Sequence, residues 1–266
     1  IEDADGNVVA EVVDVQHAPN GQNLHTIKAK REMHTGESFT LIVDRAFHLK
    51  VEKNHTATHL LDQALRDVLG EHTHQAGSLV EPGYLRFDFT HFGQVTDEDL
   101  QKVEEIINDK IYDEIPVTTV ETDLETGKKM GAIALFDDKY GKKVRVVSVG
   151  DYSREFCGGT HVKNTNEIGL FKIVSESGVG AGVRRIEAVT SQAALEFLNG
   201  EEALLQKAAG LLKSAQMKDV PAKVEQLQAQ VKDLNQTINQ LEAKIAQAEA
   251  ANIYDQVKEI NGIRLN

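Results

Sequence analysis

Two short pairs in this sequence carry side chains that can do chemistry. His55-Thr56-Ala57-Thr58-His59 sets two imidazoles four residues apart, one helical turn, so both reach the same point beside a helix. Cys157-Gly158-Gly159-Thr160-His161 repeats the spacing with a thiol and an imidazole in a glycine-rich turn. Together they offer three imidazole nitrogens and one thiolate, a borderline-soft donor set suited to tetrahedral Zn2+. Each pair alone is a weak signal, because a histidine on an apolar helix face is often simply packed and a lone cysteine often fills a core. Two pairs in a chain with one cysteine are a stronger one. Thiol–imidazole nucleophilic catalysis is a further reading, but it leaves two helical histidines surplus. The metallopeptidase pattern H-E-x-x-H fails, since Thr56 follows the first histidine and no glutamate stands ready as base. Four protein ligands also fill the position that a catalytic zinc keeps open. Either one ligand is displaced, or the metal orients a substrate while other groups activate water.

The elements that must position these pairs are legible in outline. The first fifty residues alternate short β-branched runs, Val8–Val13 and Phe39–Val43, with turn residues at Asp5-Gly6, Pro19-Asn20-Gly21 and Gly36, which predicts a small antiparallel unit closing into a β-barrel. Asn54 reads as the N-cap of a helix from His55 to about Leu69, ended by Gly70, with Leu60, Leu61, Ala64, Leu65 and Val68 as its apolar stripe. Strands are expected at Ser78–Val80, Tyr84–Phe89, Val144–Val149, Gly169–Ser175 and Val183–Val189. A helix from Thr96 to Ile111 turns Leu100, Val103, Ile106 and Ile107 inward. This mixed order predicts an α+β domain over residues 51–190, behind a barrel lead-in at 1–50. Residues 191–266 change texture. A leucine-rich helix stops at Asp219-Val220-Pro221, and Val224, Leu227, Val231, Leu234, Ile238, Leu241 and Ile245 then follow a heptad. Both an antiparallel helical hairpin and a parallel coiled-coil dimer fit that seam.

Composition narrows the setting. A single cysteine excludes an internal disulfide framework and suits a reducing cytoplasm, and no apolar run is long enough to span a bilayer. The chain opens at Ile1 rather than Met, as a piece of a longer protein would. The net charge of −13 argues against a general nucleic-acid binder, because phosphate neutralisation needs Lys and Arg. Residues 191–266 hold 8 basic and 10 acidic side chains, so the first 190 residues carry nearly all the imbalance. Any RNA contact must come from local stretches such as Lys142-Lys143-Val144-Arg145 or Arg184-Arg185. In a strand only one of two adjacent arginines faces a given ligand.

The motifs as a set resemble the editing region of the alanyl-tRNA synthetase family. The resemblance is carried by His55-Thr-Ala-Thr-His59 with Leu60-Leu61, Gln75-Ala-Gly-Ser-Leu-Val80, Arg86-Phe-Asp-Phe89, Cys157-Gly-Gly-Thr-His161 and Gly182-Val-Arg-Arg-Ile-Glu-Ala-Val-Thr190. It covers essentially the whole chain, including a β-barrel lead-in and the coiled-coil helices, while the class II synthetase motifs of the aminoacylation domain are absent. The resemblance implies a zinc-dependent aminoacyl-tRNA deacylase that hydrolyses Ser-tRNA(Ala) and Gly-tRNA(Ala), with His55, His59, Cys157 and His161 as metal and catalytic residues. It also implies Gln75 and Thr58 as contacts to the misplaced side chain, Arg184 as an RNA contact, and the tRNA(Ala) acceptor end as partner. The need is physical: a pocket shaped for alanine excludes glycine or serine poorly, so a second site must remove the errors. Gly178-Val-Gly-Ala-Gly182 would let RNA backbone approach closely, though such runs are also plain turns.

Two other readings stay open. One is a free-standing or threonyl-type editing domain of the same superfamily, which shares the two-pair pattern. The other is a structural zinc protein whose coiled coil recruits a partner, favoured by the complete four-ligand set.

Overall fold

The computed structural model describes every residue except 134–142, 181, 256–257, 261 and 266, so Lys142 and Ala181 lie outside the described residues. The chain is α+β, and it divides into two compact units, Ile1–Leu195 and Glu196–Asn266.

The first unit opens with a hairpin, β1 (Ala10–His17) and β2 (Asn23–Ala29), paired antiparallel. This is the region expected to form a barrel, and among the described residues no closed barrel is present. Phe39–Val43 does not join the ladder. Only Thr40 pairs there, in an isolated bridge to Glu2. Leu41, Ile42, Val43 and Phe47 are exposed, and so are Val13 and Val15 on β1, so the β-branched runs have no second sheet to cover them.

Helix α1 (Arg45–Leu69) is the spine of the unit. It begins ten residues before the expected start, behind Asp44, whose carboxylate accepts from the Phe47 N–H. Nothing between residues 45 and 54 breaks a helix, and Asn54 is not a cap. Its side chain lies buried mid-helix, donating to the Glu81 carbonyl and accepting from the Thr190 hydroxyl, both at 2.6 Å. Gly70 ends the helix with φ 108°, a conformation glycine takes without strain.

Strands β3 (Gln75–Val80) and β4 (Leu85–Thr90) follow, and then α2 (Asp97–Tyr112), which starts at the expected Thr96 cap with Asp99 completing a capping box. A smaller antiparallel sheet comes next, built from β5 (Val117–Asp123), β6 (Lys143–Val149) and β7 (Ser153–Phe156), with helix α3 (Leu124–Lys129) inserted after β5. Strands β8 (Phe171–Gly180) and β9 (Val183–Thr190) return to the first sheet, giving the antiparallel order β3-β4-β9-β8. Alternation on β4 sets the inner face: Leu85, Phe87 and Phe89 are fully buried, and Arg86, Asp88 and Thr90 face the other way. Against that face pack Leu60, Leu61, Ala64 and Leu65 of α1 and Val103, Ile107 and Ile111 of α2. β7 lies against α1 as well. That contact joins the two sequence pairs.

The second unit is helical. Helix α4 (Ser191–Leu211) runs into it, and after a short turn α5 (Val220–Asp255) begins, with Pro221 in its first turn as expected. A short hairpin, β10 (Lys258–Ile260) and β11 (Ile263–Leu265), ends the chain. The heptad positions of α5 are exposed, from 39% at Val224 to 62% at Leu234, and Leu204, Leu205 and Leu211 on α4 are exposed too. The seam, which fits either a helical hairpin or a parallel coiled-coil dimer, therefore stands open among the described residues. No helix among the described residues is long and apolar enough to cross a membrane.

Candidate metal centre

His55 and His59 project from the middle of α1, one turn apart, toward the loop that leaves β7. Alternation along that segment turns Ser153, Glu155 and Cys157 to one side. The glycines after Cys157 then fold the chain back so that His161 returns to the same point. One donor atom from each of His55, His59, Cys157 and His161 lies within 4.8 Å of all the others. Cys157 Sγ is 3.4 Å from His55 Nε2 and 3.4 Å from His161 Nε2. The three imidazole centroids lie 4.3 to 5.4 Å apart.

The turn is held from outside. Arg145 on β6 donates to the carbonyls of Gly158 at 2.6 Å and Gly159 at 2.9 Å. Gly159 has no room for a side chain, because a Cβ there would sit 1.9 Å from His55 Cε1. Glycine at 159 is thus required by close approach. Its own N–H donates to Cys157 Sγ at 3.4 Å.

Each imidazole also has an acceptor behind it. His55 donates to the Thr160 carbonyl. Thr56 Oγ1 spends its proton on the Glu52 carbonyl at 2.9 Å, so at 3.1 Å it can only accept from His161 Nδ1. His59 Nδ1 is buried and has no hydrogen bond at normal distance, but Glu155 Oε2 stands 3.5 Å away. In each ring one nitrogen is directed outward, leaving the other for the shared point. This is the outer arrangement that metal-bound histidines have.

The electrostatics agree. Burial holds His59 down at about 3, with His55 adding to the effect, and burial followed by the neighbouring imidazoles holds His161 down at about 2. Burial lowers His55 too, against its hydrogen bond to Thr160. All three rings are therefore neutral near pH 7, the form that donates a lone pair. Burial raises Cys157, and the nearby Glu155 adds to that, so its thiolate needs a cation beside it. Burial, then Asp62, pushes Glu155 up to about 8. The donor set, the orphaned Nδ1 and the packed glycine fit a metal ion.

The family described as "Threonyl and Alanyl tRNA synthetase second additional domain" matches residues 144–187, the stretch holding Cys157 and His161. Over the whole chain, 82% of residues are identical to alanine–tRNA ligase of Pediococcus pentosaceus, of which the chain covers 30%. The corresponding enzyme of Ligilactobacillus salivarius is 67% identical over 97% of this chain and 29% of its own length, and that of Enterococcus faecalis is 58% identical. The chain belongs to the alanyl-tRNA synthetase family. It spans about 30% of the length of the curated relatives it matches.

The other residues that the alanyl-tRNA synthetase resemblance singles out lie apart from the cluster in their bonding. Gln75 opens β3, half-buried, and donates to Ser78 Oγ at 3.0 Å. Thr58 is buried on α1 and donates to the Asn54 carbonyl of its own helix at 2.9 Å. Arg184 is held by both carboxylate oxygens of Glu176, and Arg185 by both of Asp88 at 2.7 and 2.8 Å, so the adjacent arginines take different partners as strand alternation requires. Arg145, one of the basic residues named for RNA contact, donates to the carbonyls of the glycine turn.

Sequence reading missed Thr56 as the acceptor for His161, and it missed Glu155 entirely. The period-two relation of Glu155 to Cys157 was available in the sequence. What it faces was not.

Proposed function

We propose that this chain hydrolyses the aminoacyl ester of mischarged tRNA(Ala), acting on Ser-tRNA(Ala) and Gly-tRNA(Ala), with zinc held by His55, His59, Cys157 and His161. The reading is carried by one observation: two segments 102 residues apart bring four neutral-ready donors to one point in a family whose members charge tRNA with alanine. Cys157 Sγ lies 3.4 Å from a nitrogen of His55 and 3.4 Å from one of His161, and all four donors lie within 4.8 Å of one another, a set that would suit one zinc ion. In the proposed division residues 1–50 form the lead-in, 51–190 the deacylase and 191–266 the helical segment. The proposed setting is the cytoplasm, and the proposed partner is the tRNA(Ala) acceptor end.

When bound, the zinc would supply positive charge beside the ester carbonyl or the terminal adenosine. The chain's own part is positional. Arg145 fixes the turn that carries Cys157 and His161, and the outer acceptors fix which nitrogen each histidine presents. Gln75 and Thr58 are proposed to meet the serine hydroxyl, giving preference over a bare methyl group. Arg184 is proposed to meet phosphate, which requires it to leave Glu176. The open heptad face of α5 supports self-association through a coiled coil, without which the chain is monomeric.

A structural zinc reading is favoured by the full set of four protein ligands. Cys157→Ala separates the two. Deacylation of Ser-tRNA(Ala) lost by more than about 100-fold, with circular dichroism unchanged, supports the enzyme, whereas loss of fold supports a structural zinc. Deacylation of Ser-tRNA(Thr) but not Ser-tRNA(Ala) would move the assignment to the threonyl type.

A further inference from the structure

Behind the four donors lies a second set of polar side chains that the proposed chemistry does not use. Glu155 is 3% exposed, Asp62 1%, Arg66 9% and Ser153 3%. They come from two faces aimed at each other. His59, Asp62 and Arg66 stand at i, i+3 and i+7 on α1, while Ser153 and Glu155 stand at alternate positions on β7, in line with Cys157.

Charged groups this deeply buried are costly unless each has a partner. Asp62 Oδ2 and Arg66 Nη2 pair at 2.7 Å and the two side chains sum to zero charge, while Asp62 Oδ1 and Arg66 Nε have no hydrogen bond. Ser153 donates to Glu155 Oε1 at 3.0 Å, which orients the carboxyl group but leaves its charge unmatched. Its other oxygen, Oε2, faces His59 Nδ1 at 3.5 Å, and that nitrogen has no other partner. The unpartnered His59 nitrogen thus faces a carboxyl oxygen a few tenths of an ångström beyond ordinary hydrogen-bond distance.

We infer that Glu155 is a positioning residue for the metal. It accepts a hydrogen bond from His59 Nδ1, which leaves Nε2 as the ligand, and its carboxylate balances the charge of the centre. The charge account is direct. A dication with one thiolate and three neutral imidazoles carries a single positive charge, the Asp62–Arg66 pair adds none, and Glu155, ionised beside the bound metal rather than protonated as burial alone would keep it, brings the buried set to zero. A carboxylate behind a metal-bound histidine raises the basicity of that ligand and fixes its ring, and loss of such a partner typically weakens metal binding by about 10- to 100-fold. The other two histidines are backed by neutral oxygens, the Thr160 carbonyl and the Thr56 hydroxyl. Glu155 is the acid of the three. The inference rests on the zinc reading above.

The test compares the whole chain with Glu155→Gln, which keeps the shape and an acceptor oxygen but removes the charge. Zinc affinity is measured by competition with a chromophoric chelator, and the His59 tautomer by long-range 15N–1H NMR on histidine-labelled protein. The expected result is roughly a tenfold weaker zinc affinity for Glu155→Gln, an unchanged melting temperature of the metal-free chain, and a smaller rise of that temperature on adding zinc. In the wild type the His59 spectrum should show Nδ1 protonated and Nε2 on the metal. Zinc affinity within twofold of wild type, or His59 bound through Nδ1, overturns the role of Glu155 alone. Failure of the wild-type chain to bind zinc overturns the metal reading beneath it. Should Glu155→Gln melt lower without metal, Ser153→Ala serves as the second variant. It frees the carboxyl group without removing it, and zinc affinity unchanged there as well as in Glu155→Gln would refute the proposal.

Discussion

The metal centre and the α5 helix solve opposite problems. Around His55, His59, Cys157 and His161, polar side chains are driven inward, and the loop that carries two of them is held by distant segments, His161 by Thr56 and the glycine turn by Arg145. Along α5 apolar side chains face outward, with Val231 at 56% and Leu241 at 52% exposure. In the first region each residue is specified by contacts already made. In the second the apolar heptad positions stand uncovered among the described residues. Buried polar networks are intolerant of change, while an uncovered seam tolerates it.

Substitutions can break this contrast from either side. The largest effect is expected from Gly159→Ala, which drives a methyl group into the His55 ring. Zinc affinity should fall by about 100-fold or more, read by chelator competition, while the helical content of α5 stays as it was. An affinity within a few-fold of wild type would mean that the turn is looser than its packing implies.

Leu234→Lys probes the other side. Sedimentation at several concentrations should show association by the wild-type chain and a monomer for the variant, and zinc affinity should be unchanged. If wild type and variant sediment alike as monomers, the open seam is not a self-association surface.

The smallest effect belongs to Arg184→Ala. The guanidinium must leave Glu176 before it meets phosphate, so tRNA affinity should fall by no more than about threefold, measured at two salt concentrations. A much larger loss would make Arg184 a principal anchor.

Some of this was legible in the sequence, for local reasons. The two His/Cys pairs stood out because four-residue spacing on a helix and a glycine turn are local geometry, and the fold brings their donor atoms to one point. Thr96 and Gly70 were equally plain as helix ends, since caps involve only neighbouring backbone. The start of α1 was not. Asn54 looks like a cap, and what makes it a buried mid-helix residue is the Glu81 carbonyl and Thr190, 27 and 136 residues away. The barrel expectation failed in the same way: β-branched runs predict strands, but only Thr40 of the second run finds a pairing partner. Arg145 and Glu155 read as surface charges until the fold places one against two glycine carbonyls and the other behind His59.

The central claim is that a metal held by these four residues supports editing chemistry. The most direct measurement is hydrolysis of Ser-tRNA(Ala) and Ala-tRNA(Ala) by the chain before metal removal, after chelation, and after zinc is restored. The account predicts that Ser-tRNA(Ala) is cleaved and Ala-tRNA(Ala) spared, with activity lost on chelation and recovered with zinc. Equal hydrolysis by the metal-free chain, or none by the zinc-loaded one, would contradict it.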